Sequence, residues 1–206
     1  MLITAAEERK KGMTALYIDD EYAVSVDTVT LASQGFRTGS EISDEELYDL
    51  LEASKVNRAK EKALYLIEYR SRTRKEIADK LIPLYGERAA ESAIERLEEL
   101  GLIDDEKYAR EYAEQLIFRK KFSEKRAAFE LLKKGIDKEL AEEIIRELSP
   151  DPIEQITALL ETKFARRLAT EKDRARTVNS LRTMGYHWSD IREAMDSLEL
   201  EMDDES

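Results

Sequence analysis

A sequence pattern that predicts a unit of three helices occurs three times along this chain, and this repetition constrains the fold more than any other feature. The two clearest copies span Asp105–Leu148 and Asp151–Leu198. A constant offset aligns Arg126 with Arg176, Leu131 with Leu181, Gly135 with Gly185, Ile136 with Tyr186 and Leu148 with Leu198. One unit of this size buries little apolar surface alone, whereas stacked neighbours bury a continuous core.

An earlier copy occupies Arg58–Leu100 and follows the same offset over its first two helices. The aligned pairs are Ala63 with Ala113, Leu66 with Leu116, Thr73 with Ser123, Ile77 with Ala127 and Leu81 with Leu131. Its last helix fits one residue further out, pairing Ala90 with Ala141, Ile94 with Ile145 and Leu97 with Leu148. The chain therefore reads as a tandem array.

We predict a mainly α fold in which tandem three-helix repeats form an elongated curved array, preceded by a small N-terminal antiparallel β element. Tyr22, Val24 and Val26 alternate with small or polar residues, as in a half-buried strand, and Ile3–Arg9 and Ala15–Ile18 are its expected partners. The predicted domains are a β-hairpin or sheet with short helices at 1–57, repeats at 58–103, 104–149 and 150–198, and a fraying acidic tail at 199–206.

Several helix ends carry local signals. Ser43 with Glu46 and Thr73 with Glu76 have the spacing of capping boxes. Gly101 follows an apolar stripe and predicts a left-handed helix end. Pro83 lies within the middle helix of the first repeat and predicts a kink or an end there.

The composition bounds the class of protein. Charged residues make up 39% and hydrophobic residues 42% of the chain, which has no cysteine. This balance is typical of a helix-rich globular protein, and it excludes a disulfide framework or a thiolate metal site. We expect a cytoplasmic protein, since no apolar run reaches the roughly 20 residues of a membrane span and Met1–Met13 lacks the apolar core of a secretory signal.

The charge distribution bears on nucleic-acid binding. The net charge is −12, yet residues 58–148 hold 21 basic and 21 acidic residues. Tight autonomous binding to duplex DNA depends on lysine and arginine neutralising phosphates, so this balance argues against it. A local basic edge remains compatible with the balance.

The residues that could support catalysis are few. His187 is the only histidine, and it precedes a predicted helix start, where capping is the favoured interpretation. No glycine-rich phosphate loop occurs, and the acid pairs Asp19-Asp20 and Asp104-Asp105 stand at turns or helix starts, where aspartate caps. We predict no catalytic residue, no cofactor and no metal, and hence a protein that is not an enzyme.

Basic clusters recur where the first helix of each repeat meets the second. The candidate partner-binding or nucleic-acid-binding residues are Arg70, Arg72, Arg74, Arg119, Lys120, Lys121, Lys125, Arg126, Lys163, Arg166 and Arg167. Cations near helix C-termini also complement the helix dipole, which is the purely structural interpretation. Because the clusters repeat, we favour a basic edge that contacts a polyanion or an acidic assembly built on one.

The aromatic residues follow helical spacing, which favours a core role over base stacking. They are Tyr65, Tyr69, Tyr108, Tyr112, Phe118, Phe122 and Phe129.

Taken together, these motifs resemble the RecX family, the bacterial modulators of the RecA recombinase, over nearly the whole chain. The most specific stretch runs from Leu97 to Ala109 (LEELGLIDDEKYA), and Leu131–Asp137 (LLKKGID) supplies the signature of the second repeat. The stretch Ala63–Thr73 and the N-terminal strands, with their acidic turn at Asp19–Glu21, also resemble the family. Phe122 departs from the family, since many members carry glycine there, and Pro83 with an offset Gly86 also departs.

The resemblance implies a regulator that lies along the groove of the RecA–DNA filament. Such a regulator limits filament extension, strand exchange, ATP hydrolysis and SOS co-protease activity; it binds DNA weakly by itself, has no membrane partner and acts as a monomer. An autonomous helix-turn-helix-like DNA-binding regulator is the alternative, because three-helix units also occur in that class. A scaffold with protein partners only is a third hypothesis.

Overall fold

A computed structural model describes the backbone of residues 1–204 and the side chains of residues 1–198. The chain forms two compact units, Met1–Asp104 and Asp105–Ser206. The fold is mostly helical, with tandem three-helix repeats after a small N-terminal sheet. Among the described residues, no helix is long and apolar enough to cross a membrane.

The N-terminal sheet has three antiparallel strands: β1 (Ile3–Arg9), β2 (Met13–Ile18) and β3 (Glu21–Asp27), in the order β1-β2-β3. This confirms the predicted β element. Two successive aspartates, Asp19 and Asp20, adopt positive φ angles of 50° and 71° and turn β2 into β3. Aspartate tolerates this left-handed region better than most residues, which explains the acidic turn.

A buried aspartate joins the sheet to the helices that follow. Asp27 caps α1 (Thr28–Ser33) by accepting from the amide and the hydroxyl of Thr30, each at 2.8 Å. The same oxygen accepts from the Asn57 amide at 2.8 Å, while the Asp27 amide donates to the Ser54 hydroxyl at 2.7 Å. Three of these bonds reach Oδ1 of a residue that is only 1% exposed, and they offset the cost of burying a polar side chain.

Helix α2 (Asp44–Tyr69) is continuous over 26 residues. The Ser43–Glu46 capping box is present at its start. Leu50 packs in the core of the sheet, whereas Ala59 and Ala63 pack in the core of repeat 1, so the two halves serve two cores. The predicted boundary at 57/58, between short helices and repeat 1, falls inside this helix, and the structure has no break there.

The remaining helices of repeat 1 are α3 (Arg74–Tyr85) and α4 (Glu87–Glu99). Thr73 caps α3 through the Glu76 amide. Helix α3 passes Pro83 and ends two residues later, at Tyr85, with Gly86 as its C-cap, close to the predicted position. Gly86 has a φ of 83° and separates the two helices.

Repeat 2 contains α5 (Asp105–Glu114), α6 (Glu124–Lys133) and α7 (Lys138–Leu148). A π-helical segment, Gln115–Arg119, extends α5, and the sequence analysis did not predict it. Its wider turn bonds the Lys120 amide to the Gln115 carbonyl at 3.0 Å. Such π turns leave carbonyl groups outside the regular ladder and accessible to other partners.

Repeat 3 contains α8 (Pro152–Glu161), a short 3₁₀ turn at Ala165–Arg167, α9 (Glu171–Thr183) and α10 (Trp188–Asp204). Pro152 occupies the first turn of α8, where a missing amide hydrogen costs nothing. The predicted repeat ends at Leu198 with a fraying tail beyond. Helix α10 instead continues to Asp204, and the last two positions of that tail lie outside the described residues.

The aligned positions of repeats 1 and 2 occupy equivalent places in their cores. Those that are buried in both are Ala63 and Ala113, Ile77 and Ala127, Leu81 and Leu131, Ala90 and Ala141, and Ile94 and Ile145. Repeat 3 buries Leu181 and Ile191 in a separate cluster. The sequence alignment therefore reflects a repeated three-dimensional unit.

The same helix ending recurs three times, after α4, α6 and α9. Gly101, Gly135 and Gly185 adopt φ angles of 67°, 85° and 95°. Each glycine amide bonds the carbonyl three residues back, and the next amide bonds the carbonyl five residues back. This is the Schellman arrangement, which needs a left-handed residue and so favours glycine. It confirms the predicted ending at Gly101.

Repeats 2 and 3 meet where the start of α6 touches the turn between α9 and α10. The Ser123 amide donates to the Met184 carbonyl at 3.0 Å. The Tyr186 hydroxyl lies 2.9 Å from the Lys121 carbonyl oxygen and 2.7 Å from Gln155 Oε1. Phe122 packs against the cores of both repeats.

Two backbone features make this contact close. A Cβ on Gly185 would lie 2.4 Å from Ser123 Oγ and 2.7 Å from Arg126 Cβ, so only glycine fits. Lys121 has a φ of 55° and takes the left-handed turn that ends the π segment. Lys121 directly precedes Phe122, the position noted above as a departure from the resembled family.

We predict that Gly185→Ala destabilises the protein by about 2–5 kcal/mol. About 1–2 kcal/mol of this comes from the left-handed backbone and about 1–3 kcal/mol from the overpacked contact with α6. Urea unfolding of the full chain measures the change.

Gly101→Ala is the matched control, because Gly101 also has positive φ but a Cβ added there would have no neighbour within 4 Å. Gly101→Ala should lower the free energy of unfolding only by the backbone contribution of about 1–2 kcal/mol. Equal losses for the two variants would contradict the close repeat 2–repeat 3 contact.

Candidate polyanion interface

The basic cluster of repeat 1 is engaged in contacts within its own repeat. Arg70 forms a two-pronged ion pair with Glu76, both distances being 3.1 Å. Arg72 Nε donates to the Leu66 carbonyl at 3.1 Å. Arg74 reaches from α3 to Glu91 and Glu98 on α4. The hydrogen bond to Glu98 raises the pKa of Arg74, so its charge is fixed in the fold.

The basic cluster of repeat 2 presents more of its charge to solvent. Arg119, Lys120 and Lys125 are exposed, and none of them forms an ion pair with another described residue. Lys121 is half-buried, and its carbonyl accepts from Tyr186. Arg126 pairs with Glu130 at 2.7 Å.

The basic cluster of repeat 3 lies on and beside the 3₁₀ turn. Lys163, Arg166 and Arg167 are all exposed. Lys163 Nζ lies 5.3 Å from the ring centroid of the buried Phe164. The hydroxyl of Thr170 lowers the pKa of Asp173, and the charges of Arg176 and Arg167 add to this effect. Arg167 therefore lies near one carboxylate without forming a close pair.

Each cluster stands at the predicted junction between the first and second helices of its repeat. Within the second unit, the repeat 2 cluster lies beside the α9–α10 turn, through the Ser123–Met184 bond. That the three clusters share one edge stays a prediction.

The predicted core role of the aromatic residues is wrong for four of the seven. Tyr65, Tyr69, Phe118 and Phe129 are 64%, 83%, 47% and 51% exposed. Helix geometry could have shown this for Phe129, because the core of α6 is formed by Ala127 and Leu131, four residues apart. Position 129 falls between them on the opposite face of the helix.

Three aromatic rings on repeat 2 carry most of the cation–π contacts in the described part of the chain. Arg126 Cζ lies 5.6 Å from the ring centroids of both Phe122 and Phe129. Lys133 Nζ lies 5.5 Å from Phe129, and Lys120 and Lys134 lie 5.8 Å from Tyr112. Lys133 and Lys134 were not among the predicted residues, although their place just before Gly135 signalled a basic helix end.

A groove of about 680 Å³ opens beside the contact between repeats 2 and 3. The first turn of α6 forms one side, and Pro150 and the start of α8 form the floor. The α9–α10 turn closes the other side with Arg182, Gly185 and His187. Arg182 was not predicted, because it occupies a position where repeat 2 has Leu132.

Tyr186 and His187 define the wall of this groove. Tyr186 is 5% exposed, and burial raises its pKa to about 12. Gln155, which accepts from Tyr186, donates through Nε2 to the Ile117 carbonyl of the π segment at 3.3 Å. His187 Nδ1 accepts from the Ser189 amide at 3.4 Å and caps α10, as the sequence favoured.

Metal-ligating side chains are not gathered in the described residues. No group of three or more histidine, cysteine, aspartate or glutamate side chains there has the arrangement of a metal site. The features that remain include exposed cations, exposed aromatic rings and the groove beside the repeat 2–repeat 3 contact.

Comparison with known proteins agrees with the repeat pattern. Residues 59–97 match the family model of the first RecX three-helix domain, and residues 104–145 match that of the second. The regulatory protein RecX of Caldanaerobacter subterraneus subsp. tengcongensis is 31% identical over 79% of this chain and 84% of its own. This chain belongs to the RecX family. RecX of Clostridium acetobutylicum is 30% identical over 92% of each chain.

Solved RecX structures share the fold. A crystal structure of a regulatory protein RecX aligns with a TM-score of 0.67 at 22% identity, covering 95% of this chain and 98% of that one. RecX from Lactobacillus salivarius aligns with a TM-score of 0.60 at 28% identity, over 72% of this chain and 99% of its own. The RecX family models match repeats 1 and 2, and repeat 3 is recognised from its sequence alignment with repeat 2 and from its helices.

We predict that Arg74→Gln and Arg119→Gln separate structural from available arginines. Arg74→Gln leaves Glu91 and Glu98 facing each other without a cation. Since these side chains are about a third exposed, screening limits the loss to about 1 kcal/mol. Arg119→Gln should stay within about 0.5 kcal/mol of wild type in urea unfolding.

Salt provides the control for this comparison, because about 1 M NaCl screens partly exposed pairs. The Arg74→Gln deficit should shrink in high salt. An equal deficit for Arg119→Gln would show that this arginine is also structural.

We predict that Tyr186→Phe destabilises the protein at pH 8 by about 1–3 kcal/mol, because it removes the single hydroxyl hydrogen that Gln155 Oε1 and the Lys121 carbonyl share. The folded pKa lies above the unfolded value near 10, so the wild-type advantage is complete below pH 10 and is lost as the pH rises towards 12. Urea unfolding of both proteins from pH 8 to pH 12 measures the difference.

Tyr48→Phe removes a hydroxyl from an exposed tyrosine and is the control at pH 8. It should leave the free energy of unfolding unchanged. A Tyr186→Phe deficit that does not change between pH 10 and pH 12 would contradict a buried, proton-sharing hydroxyl.

Proposed function

We propose that this protein is a non-catalytic regulator of the RecA recombinase that binds in the groove of the RecA–DNA filament. Binding limits filament extension and thereby strand exchange, ATP hydrolysis and SOS co-protease activity. The protein acts in the cytoplasm as a monomer and contacts DNA weakly by itself. RecX membership supports the regulatory role, and the filament mechanism is what we propose for it.

The observation that carries this proposal is a set of cations that the fold leaves available. Arg119, Lys120, Arg166 and Arg167 are exposed, and none of them pairs with a carboxylate among the described residues. In a chain with a net charge of −12, carboxylates are abundant. Cations left unpaired in such a chain are suited to an external anionic partner.

An acidic body with local basic clusters fits a filament better than bare duplex DNA. Duplex affinity depends on the number of phosphates neutralised, and an overall negative protein repels the duplex at long range. A protein–DNA filament offers protein contacts as well as phosphates, so a few cations contribute after docking. This argument favours the filament over the autonomous helix-turn-helix-like alternative.

We predict that reversing three available cations weakens filament binding. The variant Arg119→Glu, Lys120→Glu, Arg167→Glu should bind RecA filaments on single-stranded DNA at least about tenfold more weakly in co-sedimentation. Losing three favourable surface contacts and adding repulsion accounts for a change of this order. Urea unfolding checks that stability is unchanged.

The matched control is Lys55→Glu, Lys138→Glu, Arg192→Glu, which changes the net charge equally at cations outside the clusters. It should bind filaments as wild type does. Equal weakening by both variants would reduce the effect to net charge and contradict the role of the clusters. Tight binding of the wild-type protein to duplex DNA, without binding to filaments, would support the alternative, an autonomous DNA-binding regulator.

A further inference from the structure

The exposed ring of Phe129 lies at the edge of the groove in the second unit, and its contacts are unusual for a surface phenylalanine. It is 51% exposed and lines the groove together with Lys125 and Arg182. On its helix, it is in contact with two cations, Arg126 and Lys133. A half-exposed ring that contributes nothing to the core costs solubility unless it has a partner.

The rings and cations alternate across α6 and the segment before it. The Arg126 guanidinium stands between Phe122 and Phe129, at 5.6 Å from each ring centroid. Phe122 is anchored in the cores of repeats 2 and 3, so one end of this stack is fixed. Phe129 is linked through Arg126 to an anchored ring, and this order reduces the entropy cost of binding a flat group against it.

The groove next to Phe129 supplies charge for an anion. Lys125 and Arg182 face it from α6 and α9, and neither forms an ion pair with a described residue. Its two carboxylates are engaged locally: Glu124 accepts from the Ser149 hydroxyl, and Asp190 accepts from the Ser189 hydroxyl at 2.7 Å. With Arg126, the lining holds three cations against two carboxylates, in contrast with the whole chain.

The size and chemistry of the groove fit one nucleotide of a strand. Its volume of about 680 Å³ lies within the roughly 300–1,000 Å³ of ligand sites. An aromatic face binds a base of any sequence by stacking, and adjacent lysine and arginine bind the phosphates on either side. Stacking requires an unpaired base, so duplex DNA does not satisfy this arrangement.

We propose that this groove is a binding site for single-stranded nucleic acid, in which a base stacks on Phe129 and the flanking phosphates contact Lys125 and Arg182. Arg126, which contacts the same ring, limits its motion. The site names a direct nucleic-acid surface for the regulator proposed above, and it rests on that proposal for its biological setting only. Its binding is measured without RecA, so the two proposals fail independently.

The test is fluorescence anisotropy of a 5′-labelled oligo-dT strand titrated with the full chain at low salt. Phe129→Ala should weaken binding roughly five- to a hundredfold, the range for loss of one base–aromatic stack. Phe118→Ala is the matched control, since Phe118 is 47% exposed in the same repeat but does not line the groove. It should change affinity less than twofold.

Two further variants test the base contact and the phosphate contacts separately. Phe129→Trp in a Trp188→Phe background places one tryptophan at the site, and its emission should be quenched when the strand binds. Lys125→Ala with Arg182→Ala should reduce the slope of log affinity against log salt by about 1.4, as loss of two single-strand phosphate contacts requires.

Several outcomes would overturn the site. These are no binding of the strand by wild type at low salt, equal losses for Phe129→Ala and Phe118→Ala, or duplex binding as tight and as sensitive to Phe129. Competition by poly-glutamate that is as strong as competition by unlabelled strand, with no dependence on Phe129, would assign the groove to an acidic peptide. No strand binding by the wild type, together with a wild-type effect on RecA filaments, would leave the proposed function standing while this site fails.

Discussion

The close approach of Gly185 to the start of α6 is the contact on which the second unit depends. It brings the α9–α10 turn within 3.0 Å of the Ser123 amide, and this places Tyr186 against Lys121 and Gln155. A side chain at Gly185 would separate the two repeats. Without this contact, the groove would lose one wall, Phe122 would lose its packing against repeat 3, and the stack ending in Phe129 would lose its anchor.

The π segment and the left-handed Lys121 serve the same contact. By widening the end of α5, the segment leaves the Ile117 carbonyl to accept from Gln155 of repeat 3 at 3.3 Å. Lys121 bears the conformational cost of a left-handed residue other than glycine, and its carbonyl then accepts from Tyr186. Irregular backbone here is joined to a neighbouring repeat, which agrees with the tendency of π turns to mark functional positions.

Local signals in the sequence were sufficient for the repeats, the sheet and most helix ends. The glycine ending at Gly101 and the caps at Ser43 and Thr73 act within one turn, so a linear pattern contains them. The sequence analysis missed the continuity of α2, because that helix packs in two cores. It missed the π segment, because that segment bonds a residue of the neighbouring repeat. The candidate cations were found by recurrence, but only the structure separates Arg74, held by two carboxylates, from Arg119, which is available.

The central proposal is that this RecX-family protein acts on the RecA filament. The most direct measurement is single-stranded-DNA-dependent ATP hydrolysis by the cognate RecA, with this protein titrated in. The account predicts that the rate falls when the protein is well below one copy per RecA subunit, because blocking extension at one position affects many subunits. An unchanged rate at excess protein, together with no binding to filaments, would contradict it.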